Sequence, residues 1–108
     1  GELSGTGTET PGRICLKTTL DKDRPVSRPV IETVEAHDFT ASAVTLDDAI
    51  RLAVSDTVAF LEKKLKLDFP DAYRLLRATC DIQISQVVND LKTVRVRCPK
   101  FDTGIPTL

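Results

Sequence analysis

Hydrolysis or group transfer needs side chains that attack, move a proton or hold a metal, and few residues of this chain stand in a pattern that such chemistry would use. The one histidine, His37, and the three cysteines, Cys15, Cys80 and Cys98, show no CxxC or Cys/His spacing, so no zinc-ligand motif is present. The odd cysteine count suits reduced thiols. Their apolar strand or junction contexts lack the adjacent base that a nucleophilic thiolate needs. Ser85 has no histidine partner and no G-x-S-x-G elbow. Gly5-Thr6-Gly7 lacks the further glycine and the Lys-Ser/Thr of a phosphate loop, and Gly1 carries no side-chain nucleophile for an amine-terminal hydrolase. The carboxylates and amides remain. Glu2 lies among the glycines of GELSGTGTETPG, where the backbone can turn sharply or lie close to a ligand. A carboxylate there could act as a general base or reach a metal, although the residues alone favour an exposed acid near a chain end. Glu9 lies beyond the glycines and reads as surface. Ser85 and Gln86 could bring polar groups to a cleft, and Gln86, on the apolar face of its strand, reads first as a buried structural amide. Asp81, at a helix-to-strand junction, reads as a turn former.

Something must position these groups, and 108 residues make one domain, enough to bury roughly 65% of the unfolded surface in a single core. Net charge is −1, so no global field draws the chain to nucleic acid or an anionic membrane. No apolar run approaches the ~20 residues that span a bilayer. Solubility and a cytoplasmic location follow as expectations. The absence of methionine and the mid-sequence character of the first residues lead us to expect a C-terminal piece of a longer protein.

Two strands read clearly over 79–100. Ile82, Ile84, Gln86 and Val88 alternate with polar neighbours. After an Asn89-Asp90 turn, Val94, Val96 and Cys98 alternate with Thr93, Arg95 and Arg97. RICLKTTL at 13–20 reads as another strand, ended by the proline-containing DKDRPVSRP. VIETV at 30–34 and DFTASAV at 38–44 read as a hairpin. The join across Glu35, Ala36 and His37 reads as a solvated turn rather than a metal site, because neighbouring residues point to different sides. Thr45 starts the strongest helix as N-cap, with Asp48 three residues on. Leu46, Ala49, Ile50, Ala53, Val54, Thr57, Val58, Leu61 and Leu65 form its apolar stripe, and Lys63, Lys64 and Lys66 its solvated end. Asp68 caps a second helix with Pro70 in its first turn and Ala72, Leu75, Leu76 and Thr79 inward. The order β-ββ-αα-ββ predicts an α+β fold: about five antiparallel strands, with a long and a shorter helix on one face.

Several separated segments, in order, resemble the C-terminal region of the acetamidase/formamidase family. GELSGTGTE at 1–9 is similar to that family's Gly-Glu-x-x-Gly-Thr-x-x-Glu segment, RPVIET at 28–33 to its proline-rich approach to a hairpin, and TLDDAIRLAV at 45–54 to its long helix. DAYRLLRATCDIQISQVVNDLKTVRVRCPK at 71–100 resembles the run through Ile-Ser-Gln-Val-Val to a closing Pro-Lys. Cys80 stands where a glycine is usual, and Asn89 where an aspartate is common.

The resemblance implies hydrolysis of short linear amides, formamide and acetamide, to carboxylate and ammonia by a metal-activated water. It implies a divalent metal, zinc, whose histidine and aspartate ligands lie in an N-terminal portion not in this sequence. Glu2 matches the family's glutamate and becomes the candidate base or metal ligand, with Gly5, Thr6, Ser85 and Gln86 near the site. The expected partners are a small amide, the N-terminal portion of the enzyme and further copies of the chain in a homo-oligomer. Residues 1–12 are then an active-site-proximal segment, 13–100 the globular core and 101–108 a tail. A piece this incomplete is expected to be inactive by itself. The competing expectation is a non-catalytic α+β module for assembly or small-ligand binding.

Overall fold

The computed structural model describes residues 1–100; the expected tail, 101–108, lies outside the described residues. Six elements follow in the order β1 (Val30–Glu32), β2 (Ala36–Ala43), α1 (Leu46–Leu65), α2 (Phe69–Thr79), β3 (Asp81–Gln86) and β4 (Lys92–Pro99). The strands form one antiparallel sheet in the order β1-β2-β4-β3. Helix α1 lies across the central strands β2 and β4, and α2 packs chiefly on α1. This is the expected α+β layering.

The helix signals act as read. Thr45 Oγ1 accepts from the Asp48 N–H at 3.1 Å and donates to the Asp48 carboxylate at 2.9 Å, so the shorter acid closes the cap through the hydroxyl. Asp68 accepts from the Asp71 N–H at 3.0 Å. Ala49 and Ala53, both fully buried, let α1 approach the sheet closely, and Val58 and Leu61 fill the space beside Phe39, Val94 and Val96. Thr57 is buried within this stripe and satisfies its hydroxyl on the Ala53 carbonyl at 2.8 Å. Lys66 ends the helix in the left-handed region, at φ 54°, without a glycine.

The sequence reading differs from the structure at three places. Residues 13–20 form no strand: Ile14, Leu16 and Leu20 are 85%, 80% and 82% exposed and meet no sheet edge. Alternation alone does not make a strand where no core receives its apolar face. The sheet therefore has four strands rather than five. The first hairpin also turns earlier than expected. Thr33 organises it, its hydroxyl accepting from the Ala36 N–H at 3.0 Å and its N–H donating to the Ala36 carbonyl at 2.9 Å. Ala36 and His37 consequently belong to β2 and are buried rather than solvated. Finally, β3 is an edge strand with an irregularity between Ile84 and Gln86, and it leaves Ile82 and Ile84 half-exposed because the helices sit over its neighbours.

Candidate functional site

Glu2 and the Ser85-Gln86 pair, at opposite ends of the sequence, meet at the free edge of β3. The Glu2 N–H donates to the Ser85 carbonyl at 2.9 Å, and the Val87 N–H donates to the Glu2 carbonyl at 3.0 Å. These two bonds make a parallel bridge between Glu2 and Gln86. The glycine before Glu2 is sterically required, since a Cβ at Gly1 would stand 2.1 Å from the Ile84 carbonyl oxygen. Gly1 lets the backbone lie against β3, and the bridge then fixes where Glu2 projects. Its carboxylate is exposed.

The partners divide their roles. Gln86 is fully engaged: its amide nitrogen donates to the Leu91 carbonyl at 2.7 Å and to Thr93 Oγ1 at 2.9 Å, and its amide oxygen accepts from the N–H groups of Val88 at 2.9 Å and Asn89 at 3.1 Å. It is the structural amide that closes the β3–β4 turn. Ser85 lends its carbonyl to Glu2, and its hydroxyl makes no hydrogen bond within the described residues. Gly5 and Thr6 are exposed, and a Cβ at Gly5 would meet nothing within 4 Å, so this part of the segment stands away from the edge that Glu2 occupies. Among the described residues no three His, Cys, Asp or Glu side chains converge in a way that could hold a metal ion.

Register aligns a second set of reactive residues that sequence reasoning left apart. Glu32 pairs with His37, and His37 with Cys98. Asp81 pairs with Arg97, so Cys80 follows opposite Cys98. One row, Glu32, His37, Cys98, Cys80, thus crosses the sheet on the face that α1 covers. His37 is fully buried, with neither ring nitrogen hydrogen-bonded among the described residues. Burial pushes its pKa down, against the raising effect of the Glu32 carboxylate, whose Oε1 lies 3.6 Å from Nε2 and is itself held by Lys100 at 2.7 Å. The neighbouring Cys98 thiol holds Cys80 below the usual thiol range. Cys80 and burial push Cys98 above it. The missed signal was the alternation of His37, Phe39 and Ala41, which puts the histidine on the inward face.

Two solved structures are similar to this chain. An acetamidase from Bacillus halodurans is 35% identical with a TM-score of 0.64, over 67% of this chain and 24% of that one. A recombinant predicted acetamidase/formamidase from the thermophile Thermoanaerobacter tengcongensis is 38% identical with a TM-score of 0.68, over 80% of this chain and 30% of that one. The chain therefore spans less than a third of either relative's length. No protein-family model matches the sequence, and no curated protein matches it.

Proposed function

The chain belongs to the acetamidase/formamidase family, and we propose that it is the part of an amide hydrolase that carries the general base, Glu2, for cleaving formamide, acetamide and similar short linear amides. The observation that supports this most is the bridge of Glu2 to the β3 edge, made possible by Gly1. A group that moves protons in a transition state must be held in place. A backbone bridge does so while leaving the carboxylate unencumbered.

In this reading a water oxygen attacks the amide carbon as Glu2 takes one of its protons. When the C–N bond breaks, Glu2 returns that proton to the nitrogen, which leaves as ammonia, and the acyl part becomes the carboxylic acid. Glu2 ends as it began. The uncommitted Ser85 hydroxyl is the donor offered to the developing oxyanion, a role closed to the Gln86 amide by its four bonds. Zinc would add a Lewis acid and a lower pKa for bound water. Among the described residues no set of side chains makes up its site, so Glu2 would be one ligand at most and the others would come from outside the described residues. Ile14, Leu16 and Leu20 lie exposed in a segment without a core of its own, which supports the reading that the N-terminal portion covers them.

Two assays test the proposal. The 108-residue chain should not turn over formamide with or without added zinc. In the enzyme completed by its N-terminal portion, Glu2→Gln should lower kcat by about a hundredfold or more, the low end of what general-base catalysis supplies. Retained activity in that variant removes Glu2 from the mechanism.

A further inference from the structure

Glu2, Gln86, Thr93 and Ser42 form one row across the sheet. Gln86 bridges Glu2 on one side and pairs with Thr93 on the other, and Thr93 pairs with Ser42. Residues paired across neighbouring strands project to the same face. Val94 and Val96 turn inward to the core under α1, so this row lies on the face that the helices leave open. A cavity of about 550 Å³ opens above it, with Ser42, Gln86 and Thr93 as its floor and the β3–β4 turn as its wall. Val88 and the half-exposed Leu91 supply the apolar part of that wall.

The floor holds one uncommitted donor. Gln86 Nε2 donates to Thr93 Oγ1 at 2.9 Å, and the Ser42 and Thr93 hydroxyls share one hydrogen bond of 2.8 Å. Two hydroxyl protons enter this pair and one is used between them. The other has no acceptor among the described residues. With Thr93 donating to Ser42, the spare proton is on Ser42, which is exposed and within a ligand's reach.

Spacing then sets the length of the ligand. Ser42 stands three strands from Glu2, about 14 Å. A hydrogen bond at each end and a water in attack position account for roughly 9 Å of this. The remaining ~5 Å is the reach from an amide carbon through two methylenes to the oxygen of a terminal carbonyl. Formamide and acetamide leave it unfilled. The exposed Asp90 carboxylate on the same wall disfavours an anionic end. On the premise that Glu2 is the base, we propose that this cavity is an acyl subsite for short linear amides ending in a neutral acceptor, the simplest being the terminal diamide succinamide. Ser42 donates to the far carbonyl, and Val88 and Leu91 cover the methylenes.

The test compares kcat/KM of the completed enzyme for succinamide, succinamate, formamide and 4-methylpentanamide, which has the skeleton of succinamide with both far polar atoms replaced by methyls. We expect succinamide to exceed 4-methylpentanamide by about tenfold, the worth of one well-made hydrogen bond, and to exceed succinamate. Ser42→Ala, a change at an exposed position, should bring the ratio of succinamide to 4-methylpentanamide to about one. Leu91→Ala should lower both longer amides about fivefold relative to formamide while keeping their ratio to one another. No preference for succinamide in the parent enzyme, a preference for succinamate, an unchanged ratio in Ser42→Ala, or an unchanged standing of the longer amides in Leu91→Ala would each overturn the subsite. If Glu2→Gln abolishes turnover in the same series, any of these results leaves the role of Glu2 intact; full activity of Glu2→Gln removes both.

Discussion

Replacing Gly1 with alanine tests the idea that this glycine exists to let Glu2 reach the sheet. Ordinary contact with a Cβ begins near 3.4 Å, and the Ile84 carbonyl oxygen would stand at 2.1 Å, so backbone must move by about an ångström or more. The atom it meets belongs to β3, which is fixed by its pairing with β4. The terminal segment therefore yields. Its hold on the edge is two backbone hydrogen bonds of 2.9 and 3.0 Å. At about 1 kcal/mol net each, they make local opening cost about 2 kcal/mol. That corresponds to roughly 30-fold protection of the Val87 amide, whose partner is the Glu2 carbonyl. Hydrogen exchange should find this protection in the parent chain and lose it in Gly1→Ala, with protection of the Val94 and Val96 amides in central β4 unchanged. Glu2→Gln should keep it, because the bridge uses only backbone atoms. In the completed enzyme the same Gly1→Ala change should lower kcat/KM by about a hundredfold, the usual consequence of misplacing a catalytic group by an ångström. A protected Val87 amide in Gly1→Ala would refute the steric argument. Lost protection with full activity would refute the role given to Glu2.

Three further outcomes follow from other parts of the fold. Gln86→Ala removes four hydrogen bonds from the β3–β4 turn. Since two of the freed groups can turn to solvent, the loss should be about 2–3 kcal/mol in urea unfolding, at unchanged m-value; a loss under about 0.5 kcal/mol would mean the turn is held by other contacts. His37 is held below its ordinary pKa of 6.5 by burial, Lys100 from beyond β4 and Lys64 from α1, opposed by Glu32 on β1 and the adjacent Asp38. Below pH 6.5 the unfolded chain therefore binds the proton that the folded chain refuses. This contribution to stability is complete above that pH and declines as pH falls toward the folded value, by at most about 1.4 kcal/mol per unit. His37→Asn should flatten the decline between pH 6.5 and 5. Cys80 and Cys98 face one another across β3 and β4, so peroxide acting on a Cys15→Ser background should oxidise both thiols to one disulfide and two waters, leaving a monomer about 2 Da lighter. Cys98→Ser should abolish this, and intermolecular dimers in its place would contradict the register.

The parts of this protein legible in its sequence are those where local chemistry and the core agree. Thr45 and Asp68 cap helices wherever the chain packs them, and Val94, Val96 and Cys98 alternate in a central strand that has helix on one face, so pattern and burial coincide. Segment 13–20 carries an equally regular alternation and fails, because alternation states which face wants burial and says nothing about whether a core exists to receive it. That missing surface is also why the site was only half legible. Gly1 and Glu2 could be singled out by type, yet what gives them position is Ile84, Ser85 and Val87, more than 80 residues away, and no periodicity encodes that contact. His37 shows the converse. Its neighbours Glu35 and Ala36 suggested a turn, while Thr33 closed the turn earlier and carried the histidine under α1. A shift of the hairpin by a few residues thus exchanged a solvated imidazole for a buried one with both nitrogens unmet. The two regions with reactive side chains, Glu2 and His37, owe their character to tertiary contacts made by their neighbours, and the substitution that discriminates best is accordingly at Gly1 rather than at Glu2 itself.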